Sequence, residues 1–196
     1  MSELETPAPA IPDQPEPLDV WWPKYIDRVK QIEKTLRHHE RNVASLNTSV
    51  LAALSTSQMG GWTARQMAAM TTGQIQSLGA ANMAAVDTAA LGGLSSLQII
   101  ALTSDQAAAL TTDQIQALSS SQVAAIATDD LAKLTTDQIG ALTAAQLKGL
   151  TTAQMVALTT SQVEKLTTDQ IGALSTAQVK AIATDDLAKL TTDQIK

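Results

Sequence analysis

The chain has 196 residues, enough for one ordinary domain, with 44% hydrophobic residues but no Phe, one Tyr, three Trp and no Cys. The apolar fraction leans on Ala, so a globular core of this size would lack large side chains, and a thin core renewed along a repeat fits better. A net charge of −6, with seven Lys or Arg against eleven Asp or Glu over 46–196, argues against a nucleic-acid binder, and the lack of Cys removes disulfides and thiolate metal sites.

Residues 1–20 (MSELETPAPAIPDQPEPLDV) carry five Pro and five acidic residues. They cannot bury enough surface to fold and read as a disordered or extended tail, or as a short peptide that docks on a partner. No basic then apolar signal peptide is visible there. The chain therefore suits the cytoplasm, or a secreted or bacterial cell-surface location reached without a cleavable signal. No window approaches a membrane span, because Thr, Asp and Gln recur too often.

Residues 21–45 read as an amphipathic helix. Tyr25, Ile26, Val29, Ile32 and Leu36 recur at helix spacing, and Pro23 sits where a first helical turn tolerates it. Six Lys or Arg oppose three acids, which makes this the only basic segment. Three roles compete: a cap on the end of a repeat array, a partner-binding or oligomerising helix presenting Trp21, Trp22 and Tyr25, and a helix lying at a membrane interface. Membrane contact is the least favoured of the three, and no segment other than 21–45 offers it. His38 and His39 are the only histidines, and neighbours in sequence point in different directions on a helix, so they read as solvated residues.

From Leu46 to the end the sequence keeps an unbroken eight-residue period: eighteen complete units and a seven-residue piece. Clear copies are LTTDQIQA (110–117), LTTDQIGA (134–141), LTTAQMVA (150–157) and LTTSQVEK (158–165). Position 1 of the octad is apolar in every copy, as in Leu110, Leu134, Leu150 and Leu166. Position 6 is apolar too, as in Ile115, Ile139, Met155 and Ile171. Position 2 is Ser, Thr, Asn or Asp in sixteen of nineteen copies, and position 5 is Gln in fourteen, which is the pattern of a helix start.

Thr at position 2 is the N-cap and Gln at position 5 is the third helical residue, which together make a capping box. The expected pairs are Thr111 with Gln114, Thr135 with Gln138, Thr151 with Gln154 and Thr167 with Gln170. Positions 1 and 6 then fall on the two residues of a hydrophobic staple. Asp113, Asp137 and Asp169 at position 4 sit in the first turn, where the helix dipole favours an anion.

Each octad must also end a helix. Gly60, Gly92, Gly140 and Gly172 at position 7, with Ala or Gly at position 8, are expected to let the chain turn and pack closely. The predicted fold is all-α: an elongated solenoid or spiral of very short helices, with positions 1 and 6 buried and positions 3, 4 and 7 largely exposed. Two alternatives stay open. A single continuous helix would leave its apolar stripe drifting by about 80° per octad. A β-solenoid would explain a short period rich in Thr and Ile, although Asp, Gln and Ala are poor strand residues.

Some octads depart from the rule. Both 126–133 and 182–189 read IATDDLAK, with Ala127 and Ala183 in place of the cap and Asp130 and Asp186 in place of Gln; Thr128, Asp129 and Asp130 could shift the cap by a residue. Residues 110–139 and 166–195 match almost residue for residue, 56 residues apart, a copy distance that suggests a higher-order turn closing every seven octads.

The runs LTTDQIQALSSSQVAAI (110–126) and LTAAQLKGLTTAQMVALTTSQVEKLTTDQIGAL (142–174) resemble the LTTxQ octad arrays of long bacterial proteins described as adhesin-like or haem-utilisation-like exoproteins. The resemblance covers 46–196 and implies an adhesive or structural surface role.

No catalytic constellation is legible. The pairs Asp129/Asp130 and Asp185/Asp186 read as cap variants, no Ser has a partnering His, and no Gly-rich phosphate loop follows a strand. Neither cofactor nor metal is expected, and the glutamines are assigned to the capping boxes alone. The sequence thus predicts a non-enzymatic structural or adhesive repeat protein, acting as spacer, scaffold or self-assembling unit. The alternative is an adaptor in which residues 1–45 recognise a protein partner and the repeats support them. An open end with Leu190 and Ile195 exposed would invite end-to-end contact with a second copy.

Overall fold

The computed structural model describes Asp27, Lys30 and residues 43–194. The acidic tail 1–20, the residues Trp21, Trp22 and Tyr25, both histidines and Ile195 lie outside the described residues. Asp27 and Lys30 are helical and exposed, and their side chains form an ion pair at 3.8 Å. Residues 40–196 form a compact unit of their own.

Its described residues form a spiral in which each of the eighteen complete octads carries one short helix, from α1 (Thr48–Ala52) to α18 (Thr184–Leu187). Each has four to six residues and starts at octad position 3, directly after the N-cap at position 2. Among the described residues there is no strand, and the helices are separate, so both the β-solenoid and the continuous helix are set aside.

The corners need no special residue. In a six-residue helix such as α9 (Thr112–Ala117), the position-1 residue is the C-cap, with extended backbone (Leu118, φ −64°, ψ 143°). The next N-cap is extended as well (Ser119, φ −69°, ψ 157°). Two extended residues in succession swing the chain into the next helix, and any L-residue can adopt them. No described glycine has a positive φ, which corrects the expectation that glycine makes the corners. What glycine supplies at one place is room. A Cβ on Gly93 would overlap the backbone of Ala64, whereas one on Gly172 would meet nothing.

A helix of one and a half turns is not stable in isolation, since nucleation costs more than so few hydrogen bonds return. Stacking supplies the difference. Each helix from α1 to α15 packs on the third helix after it. Closer approaches and side-chain hydrogen bonds link residues 25 to 31 apart. One turn of the spiral therefore takes between three and four octads, which corrects the expectation of a turn closing every seven; a seven-octad copy spans about two turns.

The core is a continuous column of the two apolar positions. Position-6 residues are essentially sealed: Ile115, Ile139 and Leu147 have no exposed surface, and Met155 has 1%. Position-1 residues such as Leu110, Leu134, Leu150 and Leu166 are also buried. A spiral with two core residues per octad cannot build a thick interior, which is why the chain needs no Phe.

The IATDDLAK octads keep their place without a cap. The N-caps remain Ala127 and Ala183, with no side-chain hydrogen bond, and the helices shrink to Thr128–Leu131 and Thr184–Leu187. The cap does not shift to Thr128, because the packed neighbours, and not the local hydroxyl, fix the register.

Candidate functional site

The four predicted capping boxes are formed. The Thr111 amide donates to Gln114 Oε1 at 2.8 Å, and the Gln114 amide donates to Thr111 Oγ1 at 3.1 Å. The reciprocal bonds are 2.6 and 3.2 Å for Thr135 and Gln138, 2.9 and 3.2 Å for Thr151 and Gln154, and 2.7 and 3.2 Å for Thr167 and Gln170. Thirteen helices carry a complete box, so most helix starts are satisfied within the octad. Of the eight predicted core residues, seven are buried; Ile171 is only half-buried, because it lies in the last turn.

The glutamines do a second job that the capping box does not explain. With Oε1 committed to its own N-cap, Nε2 of Gln146 points into the preceding turn. It donates to the carbonyls of Ile115 at 2.8 Å, Gln116 at 3.3 Å and Leu118 at 2.6 Å. Those carbonyls belong to the last turn and C-cap of α9, where four C=O groups have no partner within their helix. One amide side chain thus caps the start of its own helix and the end of another, 28 to 31 residues earlier.

The same bridge recurs at Gln74, Gln98, Gln106, Gln114, Gln122, Gln138, Gln154, Gln162, Gln170 and Gln178, and at the end of the chain at Gln194. From Gln74 to Gln178 these glutamines are buried, and among the described residues no buried side-chain polar atom is left unpaired. Asn82, one methylene shorter, makes a single bond of this kind, to Leu54 at 2.9 Å. A buried amide with all its hydrogen bonds made is a rigid tie between turns. Assigning the glutamines to the boxes alone was therefore incomplete. The signal was present in the residue type. A capping box accepts Glu as well as Gln, and the helix dipole would favour Glu, yet position 5 never holds Glu. Only a donor can reach carbonyls.

The departures follow the same logic. Asp130 is buried but has no N–H to offer, and it accepts instead from Ser104 Oγ at 2.5 Å. Ala90 leaves no side chain to span the gap, and three residues later Gly93 stands where only a hydrogen fits against Ala64.

The outer surface carries the exposed ends of positions 3, 4 and 7. It includes one ion pair, Lys165 to Asp137 at 3.6 Å, between two well-exposed side chains. Among the described residues, no group of three or more His, Asp or Glu is placed to hold a metal ion, and no helix is long and apolar enough to cross a membrane.

Burial of the two apolar positions changes in the first and last described octads. In the first three octads it is position 1 that is uncovered: Leu46 is 36% exposed, and Leu54 and Trp62 are half-buried, while Leu51, Met59 and Met67 at position 6 are sealed. In the last octads both apolar positions are less covered: at position 6 Val179 is 36% exposed and Ile171 and Leu187 are half-buried, and at position 1 Leu174 and Leu190 are half-buried too. Through the bridges, each turn presents its glutamines to the turn before and its carbonyls to the turn after.

No curated protein and no solved structure matches the chain. The model of the ALTTAQ repeat matches five times in tandem, at residues 43–80, 83–120, 123–160, 145–176 and 163–196. The first match begins at Val43, the residue whose carbonyl accepts the first bridging glutamine, Gln74. With nearly all of 43–196 covered, the chain belongs to the ALTTAQ repeat family.

Proposed function

We propose that this chain is a non-enzymatic structural module, a spacer or scaffold whose working property is the length and stiffness of its spiral. The observation that carries this reading is the glutamine ladder. The recurrent buried polar side chain holds one turn to the next, and what remains outside is mostly Thr, Ser, Asp and Ala, broken by the exposed apolar side chains of Val50, Leu97, Ile100 and Val156. The likeness of the LTTxQ runs to arrays in adhesin-like bacterial exoproteins supports a role at a surface, where repeats hold an adhesive element away from its base.

An adaptor is the second reading. It is favoured by the sequence of residues 21–45, which carries Trp21, Trp22 and Tyr25 and the only excess of basic residues. In that case a protein partner is held by the N-terminal segment and the array is its support.

Deleting residues 1–45 distinguishes them. A truncated array that keeps its elongated scattering profile and still adheres or assembles supports the structural reading. An inert array, with all binding lost, transfers the function to the N-terminal segment.

A further inference from the structure

We infer that the octad 126–133 holds a monovalent metal cation, with sodium as the type, between the carboxylate of Asp130 and the main-chain carbonyl of Leu102. The site lies inside the glutamine ladder, at an octad where the ladder lacks its amide.

In the ladder, the side chain at position 5 faces the position-1 carbonyl 28 residues earlier. Where it carries an amide, that carbonyl accepts a hydrogen bond, as Leu78, Leu94, Leu110 and Leu118 do. Asn82, which has the length of Asp, keeps the register and reaches Leu54 at 2.9 Å. Asp130 takes the same place opposite Leu102, but there an acceptor faces an acceptor. Among the described residues nothing donates to the Leu102 carbonyl. Asp186 repeats the arrangement opposite Leu158, whose carbonyl also has no donor among the described residues.

The carboxylate itself lacks a counter-charge. Asp130 is 7% exposed, and its hydrogen bond is the one from Ser104 Oγ at 2.5 Å. Among the described residues no Lys or Arg forms an ion pair with it. A carboxylate withdrawn from water is costly unless positive charge accompanies it. The same register sets Asp130 at the C-terminal end of α7 (Ser96–Ile100), where the unpaired carbonyls and the helix dipole favour a cation. Carboxylate, carbonyl and hydroxyl are all oxygen ligands, which suit a hard ion. Their single negative charge is balanced by one monovalent cation, whereas a divalent one would leave a charge buried. Because one ligand is a main-chain oxygen, the site needs no cluster of acidic side chains.

The test is a set of thermal melts of the full chain in sodium chloride and in choline chloride, at matched ionic strength and fixed pH. Choline screens charge equally but is too large to enter between two packed turns. The wild-type midpoint should rise with sodium along a saturating curve, by about 3–6 °C per site at ten times the half-saturating concentration, and stay level in choline. The double variant Asp130→Asn with Asp186→Asn should lose the sodium response, because each new amide donates to its carbonyl as Asn82 does. The control Asp129→Asn with Asp185→Asn removes the same charge from exposed neighbours and should keep the response. Wild-type midpoints that match in the two salts would leave the carboxylate to water or a proton and overturn the inference. A sodium response that survives in D130N/D186N, or one that disappears in D129N/D185N, would overturn it as well.

Discussion

Replacing Gln146 by Glu separates the two jobs of the glutamine. The carboxylate keeps an acceptor for the Thr143 amide, now 2.7 Å from Oε1, and gains slightly from the helix dipole. It loses the N–H groups that reach Ile115, Gln116 and Leu118. Two good hydrogen bonds are worth about 1–3 kcal/mol net, and carbonyls left buried without a partner add a penalty of about 1–3 kcal/mol. Gln146 is 2% exposed, so water cannot readily repair the loss. The expected destabilisation is about 2–6 kcal/mol, or a melting temperature lowered by roughly 4–24 °C for a chain of this size. Gln58 is the internal control, because it is exposed and makes only the capping bonds among the described residues. There the same change should be neutral or stabilising by about 0.3–1 kcal/mol. Thermal and urea melts followed by dichroism at 222 nm give both values. Equal shifts for Q146E and Q58E would refute the claim that the amide ties the turns together.

Leu150→Ala should cost about 2–4 kcal/mol, as for an enclosed leucine, while Asp137→Ala, which breaks only the exposed pair with Lys165, should change stability by less than about 1 kcal/mol; equal urea midpoints would contradict the core assignment. Gly93→Ala should destabilise markedly, because its methyl group meets the Ala64 backbone. Gly172→Ala, with open space around it, should be neutral or stabilising by about 0.4–1 kcal/mol in the same melts. The double change Ala127→Thr with Asp130→Gln restores both the box and the donor at the weakest internal octad. It should stabilise by about 1–2 kcal/mol, and an unchanged midpoint would show that the ladder does not govern stability there.

The octad register was legible because it is written in local chemistry. The hydroxyl at position 2, the amide at position 5 and the staple residues on either side all act within six residues of one another, so a single copy such as 110–117 specifies its own helix start. The corners were misread for an equally physical reason. Glycine marks many helix ends, but here Leu118 and Ser119 turn the chain in ordinary extended conformations, which leave no compositional trace. The tie from Gln146 to Leu118 joins residues whose proximity depends on the number of octads per turn. That number is set by how side chains pack, and no single octad contains it. The 56-residue copy distance was the one trace of it in the sequence, since a duplication of about two turns returns the new copy to the same side of the spiral.

The bridges also determine how damage would spread. A glutamine ties its own octad to one four units earlier, while the chain ties each octad to its neighbours, so the layers overlap like offset courses of brick. Beyond the first turn, the positions with no amide are Ala90, Asp130 and Asp186, separated by five and seven octads. The gap at Asp130 is flanked by sound joints, and a tear starting there meets Gln122 on one side and Gln138 on the other. The one place where weak joints adjoin is 78–93, where the short Asn82 and the empty Ala90 follow each other and Gly79 provides no side-chain cap. Under load or heat the spiral should part first along that seam, leaving the later turns, with their ties intact, to come away as one piece.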